Sequence, residues 1–176
     1  RNQKFQTSDG FRSFYSVDLP ILSENYTVTN FYNYKIFSEL YENNITSLGF
    51  SLKTANSLTD DDIKLSERLY IPQKQLRGFV NGGIGPKDGD DFIGGNYYAV
   101  INLNSSLPQV LPNSQNFEVA TFVDIGNLWG VDDPSLDTSS KIRSSVGIGV
   151  DWFTPVGPMS FSLAQPLTKE KTDKTE

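Results

Sequence analysis

The feature that most constrains the fold of this chain is a period-two alternation of apolar and polar residues. It is clearest from Ile142 to Phe153, where one alternate set is apolar apart from Ser144 and the other is small or charged as far as Asp151. Successive side chains of a strand point to opposite faces of its sheet, so this spacing predicts a β-strand. Six further strands are predicted, less regular in the second and fourth: Phe11–Leu19, Tyr26–Phe37, Thr46–Lys53, Gly95–Leu103, Phe117–Gly126 and Met159–Ala164.

Two classes of all-β protein fit this pattern, a soluble antiparallel sheet over a dry core and an antiparallel transmembrane β-barrel. The alternation alone leaves both open. The minor faces favour the barrel, because they carry Gly, Ser and ionisable groups that suit a wet lumen. Strand-end aromatic residues also resemble a membrane-interface girdle, namely Trp129, Trp152, Phe153 and Tyr26. A mean hydropathy of −0.37 is compatible with a barrel, whose strands show lipid only every second side chain.

Composition excludes several function classes. The net charge is −6 and the basic residues are scattered, so a nucleic-acid partner is not expected. With no His and no Cys, the chain has no His-based triad and no thiolate, and neither an enzyme activity nor a cofactor is expected. Glu118 and Asp124 would lie roughly 20 Å apart along one strand face, too far to flank one bond. The acidic runs 60–62 and 88–91 lack calcium-loop spacing and are interpreted as solvated loops.

The lengths of the connections indicate which end of each strand faces which side of a membrane. In outer-membrane barrels short turns lie on the periplasmic side and long loops lie outside. The chain alternates in this way except at 105–116, which is long where a short turn is expected. The links are Glu39–Ile45, Ala55–Ile93, Ser105–Asn116, Gly130–Lys141 and Thr154–Gly157. The connection from about 55 to 93 mixes glycines with aromatic and basic residues, so it is predicted to be a folded insert.

An ordered series of short motifs runs from the long loop to the end of the chain. They are Leu76-Arg77-Gly78-Phe79, Ile84-Gly85-Pro86, Ile93-Gly94-Gly95-Asn96, Phe122-Val123-Asp124-Ile125-Gly126 with Trp129, Ser145-Val146-Gly147-Ile148-Gly149 with Trp152, Pro155-Val156-Gly157-Pro158-Met159 and Phe161-Ser162-Leu163-Ala164-Gln165-Pro166. In this order they resemble the BamA-type outer-membrane protein assembly factors of the bacterial surface antigen superfamily. The resemblance covers the chain from about Leu69 onward, and the first 68 residues share only the strand pattern.

The resemblance implies that residues 1–176 are the C-terminal portion of a transmembrane barrel, about seven strands with one inward-folded loop. The signal peptide, the POTRA domains, the first strands and the last strand are then expected outside this sequence. The run after Leu167 is interpreted as a loop. The implied function is folding and inserting other barrel proteins in the bacterial outer membrane. The implied partners are outer-membrane lipids, unfolded client proteins and accessory lipoproteins, the last mainly through POTRA domains.

The same resemblance implies a contact between Arg77 of the loop and Asp124 of the inner wall. The alternation agrees, because Asp124 shares the polar face of its strand with Glu118. Gly78 is expected to allow a tight turn and Phe79 to pack against the wall. Without the resemblance, a solvated loop cation and an exposed acid are the favoured interpretation, because most charge pairs are exposed and weak.

Four alternatives stay open at this stage. A two-partner secretion transporter and a translocation-and-assembly-module barrel belong to the same superfamily and keep the loop arginine and the wall aspartate. The match over Gly157–Pro166 favours the assembly factor. A passive porin would carry a charged constriction loop without this order of motifs. A soluble β-sandwich binding module would need no detergent, which makes solubility a simple discriminating test.

Overall fold

A computed structural model describes residues 7–20, 26–108, 110, 116–133, 135–136 and 141–176. These residues form nine strands and one 3₁₀ turn, Leu65–Glu67. The strands are β1 (Gly10–Asp18), β2 (Thr27–Tyr41), β3 (Asn44–Ser57), β4 (Lys87–Asp88), β5 (Asp91–Phe92), β6 (Tyr97–Ser106), β7 (Phe117–Trp129), β8 (Arg143–Thr154) and β9 (Gly157–Thr168). Seven of them make one antiparallel sheet in the order β1-β2-β3-β6-β7-β8-β9, and β4 and β5 form a small separate hairpin. Within this part of the chain the sheet is open, with β1 and β9 at its edges.

All seven predicted strands are present, and the all-β antiparallel fold is confirmed. The predicted bounds of the long loop are wrong by a few residues, because β3 continues to Ser57 and β6 begins at Tyr97. The connection is therefore residues 58–96, called the inward loop below. The strand continues because residues 55–57 pair with Thr27–Thr29 of β2, and the N–H of the buried Ala55 also donates to the carbonyl of Asn96 at 2.7 Å. Among the described residues, no helix is long and apolar enough to cross a membrane.

The register of the sheet brings the apolar alternate positions together on one face. A single row of paired residues crosses six strands on this face: Phe11, Ile36, Leu48, Leu103, Val123 and Val146. Most of these side chains are exposed although they are apolar. The opposite face contains buried polar side chains, including Asp124, Arg143 and Ser145. Such an inside-out distribution suits a wall with lipid outside and a polar lumen inside, and not a sheet over a dry core.

The ends of the strands carry the turns and aromatic residues in the expected places. The links between β2 and β3 and between β8 and β9 are two-residue turns at the same end of the sheet, and the inward loop leaves from the other end. Phe117 stacks on Trp152 at the turn end, with ring centroids 5.4 Å apart. Tyr97 and Trp129 form a similar pair at the loop end, 6.2 Å apart. Of the long link that follows β6, residues 109 and 111–115 lie outside the described part.

Replacing Ile148 by arginine tests the assignment of the two faces. Ile148 is 52% exposed on the outer face, so we expect Ile148→Arg to destabilise the intact protein in lipid vesicles by about 2–4 kcal/mol. Gly149→Arg is the matched control, because a Cβ there points to the opposite face and meets no atom closer than 3.8 Å. Denaturant unfolding measures both free energies. A larger loss for the Gly149 variant would mean that the faces are reversed.

Candidate functional site

The hydrophobic core lies between the inward loop and the inner face of the sheet. The loop supplies six buried apolar side chains and the wall supplies four: Ile63, Leu69, Ile71, Leu76, Phe79 and Ile84 from the loop, and Ala55, Tyr98, Val100 and Leu128 from the wall. Backbone hydrogen bonds between Leu69 and Gly95 close the base of the loop. The loop is thus folded against the wall, as the sequence predicted for an ordered insert.

Arg77 reaches from this loop to Asp124 on β7, and the expected contact between them is present. The guanidinium donates from Nε to Oδ2 and from Nη2 to Oδ1, both at 2.7 Å. The backbone N–H of Arg77 also donates to Oδ2, at 3.2 Å. The side chain of Asp124 is fully buried and that of Arg77 is 19% exposed. A bidentate pair with an added amide donor is the strong form of this interaction, because it fixes geometry as well as charge. We call this contact the latch.

Two cross-strand pairs form the seat of the latch. Asn102 on β6 lies opposite Asp124, and its Nδ2 donates both to Asp124 Oδ1 and to the carbonyl of Gln75, each at 2.7 Å. One position further along the wall, Asn104 lies opposite Phe122 and accepts from Arg77 Nη2 at 2.9 Å.

The guanidinium carbon of Arg77 lies 3.4 Å from the centroid of the Phe122 ring. The N–H groups at the edge of the Arg77 guanidinium therefore donate to oxygen atoms, and the flat face of the guanidinium lies on an aromatic ring.

Glycines on the wall and in the loop make room for this close approach. Gly78 has φ +86°, and an added Cβ would meet Ala164 of β9 at 3.1 Å. Gly85 faces Leu128, whose Cδ2 would be 2.6 Å from a Cβ at that position. Gly126 leaves space beside Leu76, and Pro86 is almost completely buried. The motif glycines thus let the loop backbone lie directly on the wall.

Gly147 on β8 makes room for the Phe122 ring of the latch. It lies opposite Phe122, and an added Cβ would be 2.4 Å from the ring carbon Cζ and 2.1 Å from the carbonyl oxygen of Leu163. The phenyl ring thus covers a glycine that has no room for a side chain. Gly149, two positions along the same face, has no neighbour closer than 3.8 Å to such a Cβ. Close packing therefore requires a glycine at position 147 but not at position 149, although both belong to one sequence motif.

A second ion pair, which the sequence did not predict, holds residues 170–176, called the terminal segment below. Arg143 of β8 donates from Nε and Nη2 to the two carboxylate oxygens of Asp173, both at 2.9 Å, and both side chains are fully buried. Nη1 of Arg143 also donates to Asn127 Oδ1 at 2.6 Å and to the carbonyl of Lys141 at 3.0 Å.

The interpretation of this charged run as a loop is therefore incomplete. It leaves the sheet after β9, but a buried charge pair and backbone hydrogen bonds fix it against the wall and the inward loop.

The remaining predicted site residues lie away from the latch. Glu118 is on the same face of β7 as Asp124, but it lies opposite Asp151 of β8, six residues toward the turn end. The shared face agrees with the alternation, and the roughly 20 Å of strand between the two residues keeps Glu118 out of the latch. Trp129 and Trp152 belong to the aromatic pairs at the strand ends. Of the remaining motif residues, Pro155 lies in the turn between β8 and β9, and Gly157 and Pro158 are the first two residues of β9.

The site is built to hold a segment of chain in place. The side chains that meet at the latch are a guanidinium, a carboxylate, two amides and a phenyl ring. In the described ranges, no group of three or more His, Cys, Asp or Glu side chains is placed to hold a metal ion. What the arrangement can do is fix the inward loop to β6 and β7 by directional, charge-assisted hydrogen bonds.

Taken together, an outward apolar belt, a polar inner face and a loop fixed on that face define a segment of transmembrane β-barrel wall. The model of the Omp85 superfamily domain matches residues 1–176. The chain belongs to the Omp85 superfamily.

Individual relatives agree with this assignment. The chain is similar to the outer membrane protein assembly factor BamA of Neorickettsia risticii, at 34% identity over 118 residues, 65% of this chain and 16% of that protein. It is also similar to a SAM50-like protein of Schizosaccharomyces pombe, at 29% identity over 136 residues, 72% of this chain and 28% of that protein. The chain thus spans less than a third of these relatives' length.

A solved structure matches the fold of almost the whole chain. It is the crystal structure of BamA from Haemophilus ducreyi lacking POTRA domains 1–3, with a TM-score of 0.88 and 24% identity, covering 99% of this chain and 38% of that one. At this identity the match supports the architecture, which is the wall of an antiparallel transmembrane barrel.

Proposed function

We propose that this chain is the latch-bearing part of an outer-membrane protein assembly factor, which folds and inserts other β-barrel proteins in the bacterial outer membrane. The observation that carries the proposal is the similarity of the chain to the outer membrane protein assembly factor BamA of Neorickettsia risticii. The buried bidentate contact of Arg77 with Asp124, made by a loop that lies on the lumenal face, agrees with the proposal, but the rival barrels of the same superfamily keep the same two residues. The similarity to a SAM50-like protein of the same superfamily adds support. Outer-membrane lipids and unfolded barrel proteins are the proposed partners, together with accessory lipoproteins. No nucleic acid and no cofactor takes part.

The chemistry of the wall agrees with an assembly role and not with catalysis. A barrel protein is folded by pairing backbone groups and by lowering the cost of entering the bilayer, and neither step requires a covalent intermediate. The part played by the latch is to hold the inward loop at one depth in the lumen. A fixed loop keeps the polar interior filled while neighbouring strands rearrange. This protein is therefore proposed to act without enzymatic activity.

A reconstitution experiment tests the proposed function. The intact protein is placed in lipid vesicles, and the folding of a urea-denatured outer-membrane barrel is followed by its heat-modifiable mobility on gels. We expect faster folding than in vesicles that carry an unrelated barrel of similar size. A passive porin would make the vesicles leak solutes and leave the folding rate unchanged. A two-partner secretion transporter would also leave that rate unchanged, so an unchanged rate would refute the proposal.

A further inference from the structure

The terminal segment lies along the tip of the inward loop as a short antiparallel ladder. Phe79 and Thr175 are bridge partners. The N–H of Val80 donates to the carbonyl of Lys174 at 3.0 Å, and the N–H of Lys174 donates to the carbonyl of Gly83 at 2.8 Å. The loop tip, residues 78–83, therefore has the wall on one side and a paired backbone on the other.

The ladder begins next to the latch arginine. The N–H of Glu176 donates to the carbonyl of Gly78 at 3.3 Å, and the side chain of Gln73 donates to the carboxylate of Glu176. Gly78 follows Arg77 directly in the chain. Any movement of the terminal segment away from the loop would thus remove backbone support from the residue adjacent to the latch.

The terminal segment is itself fixed to the wall by Asp173. The Asp173 carboxylate accepts from Arg143 Nε and Nη2, and its Oδ2 also accepts from the N–H of Glu170 at 2.7 Å. Arg143 in turn donates to Asn127 of β7, the strand that carries Asp124. These contacts form a continuous chain. It runs from Asp124 of β7 through the loop tip and the terminal segment, and it ends at Asn127 of the same strand.

We propose that Arg143 and Asp173 are positioning residues for the latch. They clamp the terminal segment across residues 78–83, and through this ladder they keep Arg77 on Asp124. A buried ion pair is a suitable clamp, because removal of either partner leaves the other charge uncompensated in a dry place. Release of the terminal segment at the end of β9 then loosens the inward loop. This inference concerns the seating of the loop and stands apart from the proposed assembly function.

Hydrogen exchange measured by mass spectrometry on the intact protein in lipid nanodiscs tests the clamp. Asp173→Asn removes the charge at a position outside every strand, so the wall itself is left unchanged. We expect exchange to become about tenfold faster in residues 78–83 as well as in 170–176, because one charge-assisted contact then no longer opposes local opening. Asp90→Asn, the same change at an exposed loop acid, is the matched control and should change neither region.

Two outcomes would overturn the proposal. If exchange rises only in residues 170–176, the terminal segment rests on the loop tip without holding it in place. If it rises in neither region, the ion pair does not hold the segment. Arg143→Gln provides a second variant with the same expectation, and heat-modifiable mobility checks that its barrel is folded. Because no client protein is present, the result is independent of whether the protein assembles other barrels.

Discussion

Gly147→Ala is expected to destabilise the intact protein by about 3 kcal/mol, the upper range for forcing extra atoms into a packed site. The new Cβ would lie 2.1 Å from the carbonyl oxygen of Leu163 and 2.4 Å from Phe122 Cζ. The nearer atom is backbone of the paired strand, so β8 and β9 must separate, and the Phe122 ring must also leave its place under Arg77. Denaturant unfolding in lipid vesicles measures the loss.

Gly149→Ala is the control for this change. It lies on the same face of the same strand, and its added Cβ would meet only ordinary contacts at 3.8 Å or more. We expect a change of stability within about 0.5 kcal/mol, as at an uncrowded position. Trimming the ring by Phe122→Leu in the Gly147→Ala background should recover only part of the loss, because the clash with the Leu163 carbonyl remains. Equal stability of the two glycine variants would contradict the packing described for the latch.

Arg77→Ala is expected to release the inward loop. The substitution leaves the fully buried Asp124 carboxylate with only the amides of Asn102 and residue 77 as donors. Breaking a buried charge pair in this way costs about 3 kcal/mol, which favours the released loop by about a hundredfold. In cells that depend on the variant, the outer-membrane content of other barrel proteins should fall. Immunoblots of outer-membrane fractions measure this.

Two further variants separate the geometry of the latch from its charge. Lys87→Ala removes a cation from the same loop outside the latch and should leave assembly unchanged. Arg77→Lys keeps the charge but loses the fork that meets both oxygens of Asp124, so it should behave more like the alanine variant than like wild type. Assembly that tolerates Arg77→Ala as well as Lys87→Ala would remove the latch from the mechanism.

The strands were predictable because lipid and lumen impose opposite demands on alternate residues. Each of the seven predicted segments can therefore be recognised from its own alternation, and even the less regular Tyr26–Phe37 lies in a regular strand. The bounds of the long loop were less accurate, since the extension of β3 over residues 55–57 depends on pairing with Thr27–Thr29 of β2 and not on local pattern. A partner that is distant in sequence leaves no trace in a strand's own periodicity.

The candidate site divides in a similar way. The Arg77–Asp124 contact was anticipated because a family resemblance supplied the long-range pairing and the alternation supplied the face. Asn102 and Asn104 were missed, although they alternate with Ile101 and Leu103 and so could have been assigned to the lumen. Which of them would meet Asp124 depends on the register between β6 and β7.

Arg143 and Asp173 were missed for a different reason. Arg143 belongs to the small or charged alternate set of its strand, but nothing in the composition of the charged run at 169–176 distinguishes Asp173 from its charged neighbours. A buried partner can be chosen from such a run only when the path of the chain after β9 is known.

The pairing of Phe79 with Thr175 has a consequence for the order of events when this chain folds. Strands β6 to β9 all lie between the two residues in the chain, so this contact joins segments that are separated by four wall strands. Contacts that span so much chain are the slow ones to appear. We therefore expect the tip of the inward loop to be tied down late, after the local pairing of neighbouring wall strands.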